Sequence, residues 1–331
     1  MLRAHSRLLS ALALLFSGIA VHPASLLAQG AGLGFTYCTH PSVSVWSPTT
    51  RCPNQVVIAQ ARHEGVTVGG YLFVPDAQPV DFAVVLVGGG LIGSTSFTSG
   101  SWRSLCVRFR CALLHVSPDA DTPTQAIAQD PGRNAKLGGG PGLLALLDSL
   151  AEKSGHSELR TTKLALWGFS ATGSFAITFA ARYPERTIAA IRVHSHLRGL
   201  DVDTTSMLRT PVLMIVSTAD STAGTEDSRR LWAVGRQRGA PWALAIETNF
   251  EHVSLDSWWT SSELVWRWIE AQRPTSAPVG PQQRTGAWLG VAPNTIASLS
   301  AFRGDQRMAS WFPDSVTAHA WKRFINPVSQ R

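Results

Sequence analysis

The chain has 331 residues, 15% of them charged, and its 29 Lys and Arg against 22 Asp and Glu give a formal net charge of +7. That length is ample for one large buried core. The basic residues are scattered singly, which excludes the clustered basic face that nucleic-acid binding requires.

Arg3, His5 and Arg7 precede an apolar run from Leu8 to Val21, followed by small residues and Ala28. This order reads as a signal peptide over residues 1–28, because the run is shorter than the roughly 20 residues that a spanning helix needs. The expected location is secreted or periplasmic, with no stable membrane insertion. Cysteines pair in such compartments, and Cys38 and Cys52 bracket a short Ser-, Thr- and Pro-rich loop suited to a disulfide. Neither CxxC nor clustered His accompanies them, so no metal site is read there. Cys106 and Cys111 are open to two readings, a second bridge or buried thiols acting as small apolar side chains.

From Gln55 to Val74, two alternating β-branched runs divided by Glu64-Gly65 predict a hairpin at a sheet edge. Phe82 to Val87 is a continuous apolar run ending in Gly88-Gly89-Gly90, as a strand buried on both faces reads. A helix over about 102–109 and a short strand over 112–116 follow, then a loop over 117–140 rich in Asp, Pro and Gly. Leu143, Leu144, Leu147, Leu150 and Ala151 recur at helical spacing. A strand from Lys163 to Trp167 runs into Gly168-Phe-Ser-Ala-Thr-Gly173, and Phe175 to Arg182 reads as helix. Strands over 188–193, 212–216 and 242–246 and helices over 226–238 and 262–272 complete an α/β alternation. That pattern predicts a mainly parallel sheet flanked by helices, with right-handed crossovers.

The main domain is placed at residues 29–273. Residues 275–285 read as a Pro, Ser and Gln linker. The remainder of 274–331, with Trp288, Trp311 and Trp321, is expected to dock on the main domain.

A strand, a tight turn of small residues and a helix form the setting in which an α/β-hydrolase presents its nucleophilic serine. Gly168, Ser170 and Gly173 resemble that elbow, with Thr172 standing where GxSxG has its second glycine. In this fold the acid follows the next-to-last strand and the histidine follows the last. Asp220, after the strand over 212–216, and His252, after that over 242–246, fill those places. The expected catalytic residues are therefore Ser170, Asp220 and His252, with Asp201 and Asp203 as rival positions for the acid. Gly90, with Gly89 beside it, and Ala171 are the expected oxyanion-hole donors.

The same glycines also spell Gly88-x-Gly90-x-x-Gly93, with Asp119 as a ribose ligand, which is a dinucleotide-binding reading and a nicotinamide-dependent oxidoreductase. Two strands precede that motif, and it leaves Ser170, Asp220 and His252 without a role. A third reading is a binding protein on the same fold whose altered elbow has lost activity.

Residues 55 to 272 resemble α/β-hydrolases. The opening Gly69-Gly-Tyr-Leu-Phe-Val-Pro75, with the strand into Gly88-Gly-Gly90, is similar to the dienelactone-hydrolase and esterase branch. Dienelactone hydrolases carry Cys as nucleophile, so Ser170 points to their ester-cleaving relatives. The resemblance implies an acyl-enzyme route with no cofactor and no metal, acting on a small-molecule or polymeric ester; the scattered basic residues argue against a nucleic-acid partner. The short connection between His196 and Pro211 leaves no room for a large cap domain. Trp258 and Trp259 either line a pocket or pack in the core.

The pairing of Cys38 with Cys52 is testable by peptide mapping without reductant. A disulfide-linked peptide is expected, since closing such a loop contributes on the order of 3 kcal/mol. Two thiols open to alkylation would refute it.

Overall fold

The computed structural model describes residues 36–40, 43–47, 56–63, 66–75, 79–88, 96–97, 99–118, 140–196, 203–252, 255–274, 287–292 and 295–326. The expectations for residues 1–28, Cys52, Gly89 and Gly90, Gly93, Asp119, Asp201, the linker and most of the loop over 117–140 lie outside them. So do the side chains of Cys38, Trp258 and Trp259.

Residues 1–54 form a unit of their own. In it, β1 (Thr36–His40) pairs antiparallel with β2 (Val43–Ser47), Cys38 opposite Val45. The stretch between Cys38 and Cys52 is thus partly strand rather than loop. The alternation Val43, Val45 is its sequence signature.

In the second unit, β3 (Val56–His63) and β4 (Val66–Phe73) make the expected edge hairpin. Then come β5 (Phe82–Val87), α1 (Gly100–Phe109), β6 (Cys111–Pro118), α2 (Gly140–Ser154), β7 (Lys163–Phe169), α3 (Ala171–Arg182) and β8 (Thr187–Val193). β9 (Val212–Ser217), α4 (Glu226–Gln237), β10 (Trp242–Glu247) and α5 (Leu255–Gln272) finish the alternation. The eight strands lie in the order β10-β9-β8-β7-β5-β6-β4-β3. Pairing is parallel from β10 through to β6 and antiparallel at β6–β4–β3.

Strands buried on both faces need a helix layer on each. On one face Val84 and Leu86 of β5 pack with Trp102, Cys106 and Phe109 of α1 and with Leu264, Trp268 and Ile269 of α5. On the other, Ala83, Val85 and Val87 meet Leu143, Leu146, Leu147 and Leu150 of α2 and Phe175 and Phe179 of α3. α4 closes the same side farther along through Leu231, near Met214 and Trp242. Cys106 and Cys111 are free thiols, fully buried in the first layer, which decides between their two readings.

Helices α3 and α5 begin earlier than their apolar periodicity suggests, α3 at Ala171 and α5 at Leu255. In α3 the first turn is Ala-Thr-Gly-Ser, too small and polar to register as an apolar stripe, yet compatible with close packing on the strand before it. No large cap domain is inserted between β8 and β9.

Residues 287–326 fold into a three-stranded sheet of β11 (Trp288–Gly290), β12 (Ala297–Ser298) and β13 (Ser310–Phe312), followed by α6 (Ser315–Ile325). They pack on β10, whose outer edge would otherwise present unpaired backbone groups. The Ser310 hydroxyl accepts from Leu244 N at 3.0 Å, and the Trp321 indole donates to Leu244 O at 2.8 Å. Buried Arg236 on α4 donates to the carbonyls of Gln306 and Ala309, both at 2.6 Å, and burial pushes its guanidinium down to about 10. Phe312 and Trp321 complete the core beneath.

Trp321→Ala should therefore cost about 3–5 kcal/mol in chemical denaturation, the range for a large buried aromatic. A chain ending at residue 286 should scatter light as it associates through the uncovered β10 edge. An unchanged denaturation midpoint in Trp321→Ala would refute this account of the packing.

Candidate active site

β7 ends against the start of α3 more closely than side chains permit. A Cβ on Gly168 would lie 2.2 Å from the carbonyl oxygen of Thr172, so only glycine fits there. A Cβ on Gly173 would meet Ser195 Cβ at 2.6 Å. Between these glycines the chain reverses at Ser170, whose φ of 55° and ψ of −126° place a non-glycine residue in a strained region. Such a conformation costs on the order of 1–3 kcal/mol and persists only where its surroundings hold it. Here Ser170 N donates to Val193 O at 2.9 Å, and Gly173 N donates to Ser170 O at 3.1 Å.

Thr172 contributes to the same turn. Its hydroxyl lies 2.6 Å from Val87 O and 2.8 Å from Phe169 O, as a donor, and accepts from Phe169 N at 3.1 Å. The departure from GxSxG thus ties the elbow to the end of β5, a bond that glycine could not make.

The Ser170 hydroxyl lies 2.8 Å from His252 Nε2, and His252 Nδ1 lies 2.9 Å from Asp220 Oδ2. A carboxylate at Nδ1 fixes the ring hydrogen there, leaving Nε2 to accept the serine proton. Asp220 Oδ1 accepts from the N–H groups of Thr222 and Ala223, each at 2.9 Å. Burial acts to raise the Asp220 carboxyl. The Ala223 N–H, the His252 imidazole and the Thr222 N–H outweigh it and hold the group below the ordinary carboxylate value. Phe169 packs on the His252 ring, with centroids 5.4 Å apart.

Ala171 is the first residue of α3, so its N–H has no intrahelical acceptor, and the positive end of the helix dipole lies at the serine. Gly90, the other expected oxyanion donor, is outside the described residues, but the loop's root is visible. Gly88 O lies 2.6 Å from Nε2 of His115, a buried residue of β6 whose ring stacks on Tyr71. Burial pushes the His115 imidazole below its ordinary value, the bond to Gly88 partly opposing it. It is therefore a neutral donor near neutral pH. Asp203, a rival for the acid, is exposed and accepts from Thr205 N at 2.9 Å.

Besides the bonds made by Thr172, three side chains escaped the sequence reading: His115, His194 and Glu247. The last two stand at the ends of β8 and β10, the same edge of the sheet as Ser170, and that placement at strand ends is the signal that could have found them. The ligand atoms of His194, Asp220 and His252 lie within 4.8 Å of one another, close enough for one ion. The hydrogen bond between Asp220 and His252 already uses two of them.

No protein-family model matches the chain, and no curated protein matches it. Among solved structures it is similar to a thermostable esterase at 17% identity and a TM-score of 0.46, over 59% of this chain and 54% of that one. The chain thus spans about half that esterase's length. It is similar also to a cold-adapted esterase from an Arctic intertidal metagenomic library, at 15% identity and a TM-score of 0.49, over 68% of this chain and 97% of that one. A third is an α/β serine hydrolase without lid from Xanthomonas campestris, at 13% identity and a TM-score of 0.47, over 69% and 100%. The strand order, the serine elbow and the chain order Ser, Asp, His are those of the α/β-hydrolase fold.

Gly168→Ala should fail to form the elbow, seen as a large drop in melting temperature. A melting temperature near wild type would show that the turn has room to spare. His115 binds a proton less readily folded than unfolded, so stability should be complete above the unfolded value of about 6.5 and fall as pH drops below it. His115→Gln should flatten that acid slope in thermal melts. An identical slope in both proteins would refute the assignment.

Proposed function

We propose that this protein is an exported serine hydrolase that cleaves carboxylic esters through an acyl-enzyme intermediate. The observation that carries this reading is the hydrogen-bonded line from Ser170 through His252 to buried Asp220, with the serine on a strained turn at a helix N-terminus. Export rests on the first 28 residues, and ester chemistry rests on the use of Ser in place of Cys.

As Ser170 Oγ attacks the ester carbonyl, His252 Nε2 takes its proton. Asp220 holds the ring's orientation and stabilises the imidazolium that forms. The oxyanion forms at the start of α3, where the Ala171 N–H and a backbone N–H of Gly90 donate to it. His252 then protonates the departing alkoxide. Water, deprotonated by the same nitrogen, attacks the acyl-enzyme and releases the acid, returning the proton to Ser170. No metal ion and no cofactor enters this cycle.

A nicotinamide-dependent oxidoreductase would leave this line of residues without a role. A binding protein on the same fold makes the opposite prediction to ours when challenged with a reactive phosphonate. A fluorophosphonate should label Ser170, mapped by mass spectrometry, and short-chain nitrophenyl esters should be hydrolysed. Ser170→Ala retaining full esterase activity would overturn the reading. Asp220→Asn should lower turnover by roughly 10⁴ if the effect matches that in serine proteases. Asp203→Asn should leave it near wild type, and a reversed order of these two variants would move the acid elsewhere.

A further inference from the structure

Behind the line of residues described above lies a second histidine–carboxylate pair. His194 follows β8 and Glu247 ends β10; they are 1% and 2% exposed, and His194 Nε2 lies 2.5 Å from Glu247 Oε1. The other ring nitrogen, Nδ1, lies 3.2 Å from the backbone carbonyl oxygen of His252 and 3.5 Å from Asp220 Oδ2. His194 is held at a φ of 46°, a left-handed conformation uncommon for a non-glycine residue.

The hydrogens follow from the neighbours. Nδ1 faces a carbonyl and a carboxylate, and Nε2 faces a carboxylate; all of them accept. Nδ1 must therefore carry a hydrogen, while at Nε2 the shared proton satisfies the contact whether it sits on the ring or on Glu247. The pair thus turns its donor nitrogen toward Asp220 and the carbonyl of His252. Its only job for packing would be to fill space, and an apolar pair would do that without the cost of burying polar groups.

The loop that carries His252 has one other anchor of this kind among the described residues. Ser217 donates its hydroxyl to Phe250 O at 2.5 Å and accepts from Phe250 N at 3.3 Å. His194 provides the second anchor, at His252 itself.

We propose that His194 is a positioning residue for the hydrolytic reaction: its Nδ1–H holds the backbone of His252 and the field around Asp220, and Glu247 sets the ring's orientation. The proposal rests on the serine-hydrolase reading above. It separates the two ring nitrogens, which amide side chains can mimic one at a time. The amide nitrogen of Asn reaches the place of Nδ1, and Asn also tolerates the left-handed backbone. The amide nitrogen of Gln reaches the place of Nε2.

The test is kcat, KM and the pH profile of ester hydrolysis for His194→Asn, His194→Gln and Glu247→Gln, with folding checked by circular dichroism. His194→Asn should keep kcat within a few-fold of wild type, whereas His194→Gln should lower it about ten-fold or more with KM little changed. In His194→Gln the Asp220 carboxylate and the His252 carbonyl lose the N–H that faces them, while the Gln amide still reaches Glu247, so the acid limb should move to higher pH. Glu247→Gln can donate its amide to Nε2 and leave Nδ1–H in place, so kcat and the acid limb should stay near wild type while the melting temperature falls.

A role in packing alone predicts the reverse order, since Gln matches His in size better than Asn does. His194→Gln equal to or better than His194→Asn, or one acid limb shared by all variants, overturns the proposal. So does a folded Glu247→Gln with kcat reduced ten-fold. Fluorophosphonate labelling of the wild type separates the two readings. Labelled Ser170 with insensitive variants sinks only the role of His194; an unlabelled, inactive wild type sinks both.

Discussion

Between the last residues of β7 and the first turn of α3 there is no space for a side chain, and the geometry of the strand edge that carries Ser170 is measured from that contact. With the carbonyl of Thr172 only 2.2 Å from where a Cβ on Gly168 would sit, the backbone must reverse within a single residue. Ser170 takes up the reversal, and its strain is offset by hydrogen bonds from three directions: β8 through Val193, β5 through Thr172, and the helix through Gly173. The hydroxyl then projects beyond the carboxyl ends of the strands, where binding sites of open α/β sheets form. Asp220 and His252 reach it because β9 and β10 run parallel to β7 and end at the same level.

Much of this was legible in the sequence because the strong signals are local. A continuous apolar run such as Phe82 to Val87 fits a strand buried on both faces, and a serine set among small residues directly after such a strand marks a sharp reversal of the chain. The order Ser170, Asp220, His252 follows from the order of strands. What stayed hidden was decided across the sheet. Thr172 looks like a defect in a motif until Val87 O is seen beside it. His194 and Glu247 are 53 residues apart in sequence, and nothing in either neighbourhood marks the other. The β1–β2 hairpin and the C-terminal sheet are short strands in segments dense with polar and turn residues, where alternation is too brief to stand out.

One pattern recurs along the edge that carries Ser170. A buried polar side chain on one element holds a carbonyl in or beside a neighbouring loop: His115 on β6 at Gly88, Ser174 on α3 at His196, His194 after β8 at His252 and Ser217 ending β9 at Phe250. Loops are the parts of a domain most free to move, and a site that must stabilise charge needs donors that do not reorganise as the charge develops. Distributing the anchors over several elements ties these carbonyls to the sheet and its helices, at the cost of placing polar groups where an apolar layer would pack more simply.

The covering of β10 has a consequence for how the chain reaches this state. The groups that close its edge, Ser310 and Trp321, lie 66 and 77 residues from Leu244. Contacts so distant in sequence form only after a long loop has closed, and topologies rich in them fold slowly. The parallel sheet can pair from β5 outward while that edge remains open to water and to other chains. Until that seal forms the edge stays open, so the speed at which the C-terminal segment arrives sets how long each molecule spends in a form able to recruit its neighbours.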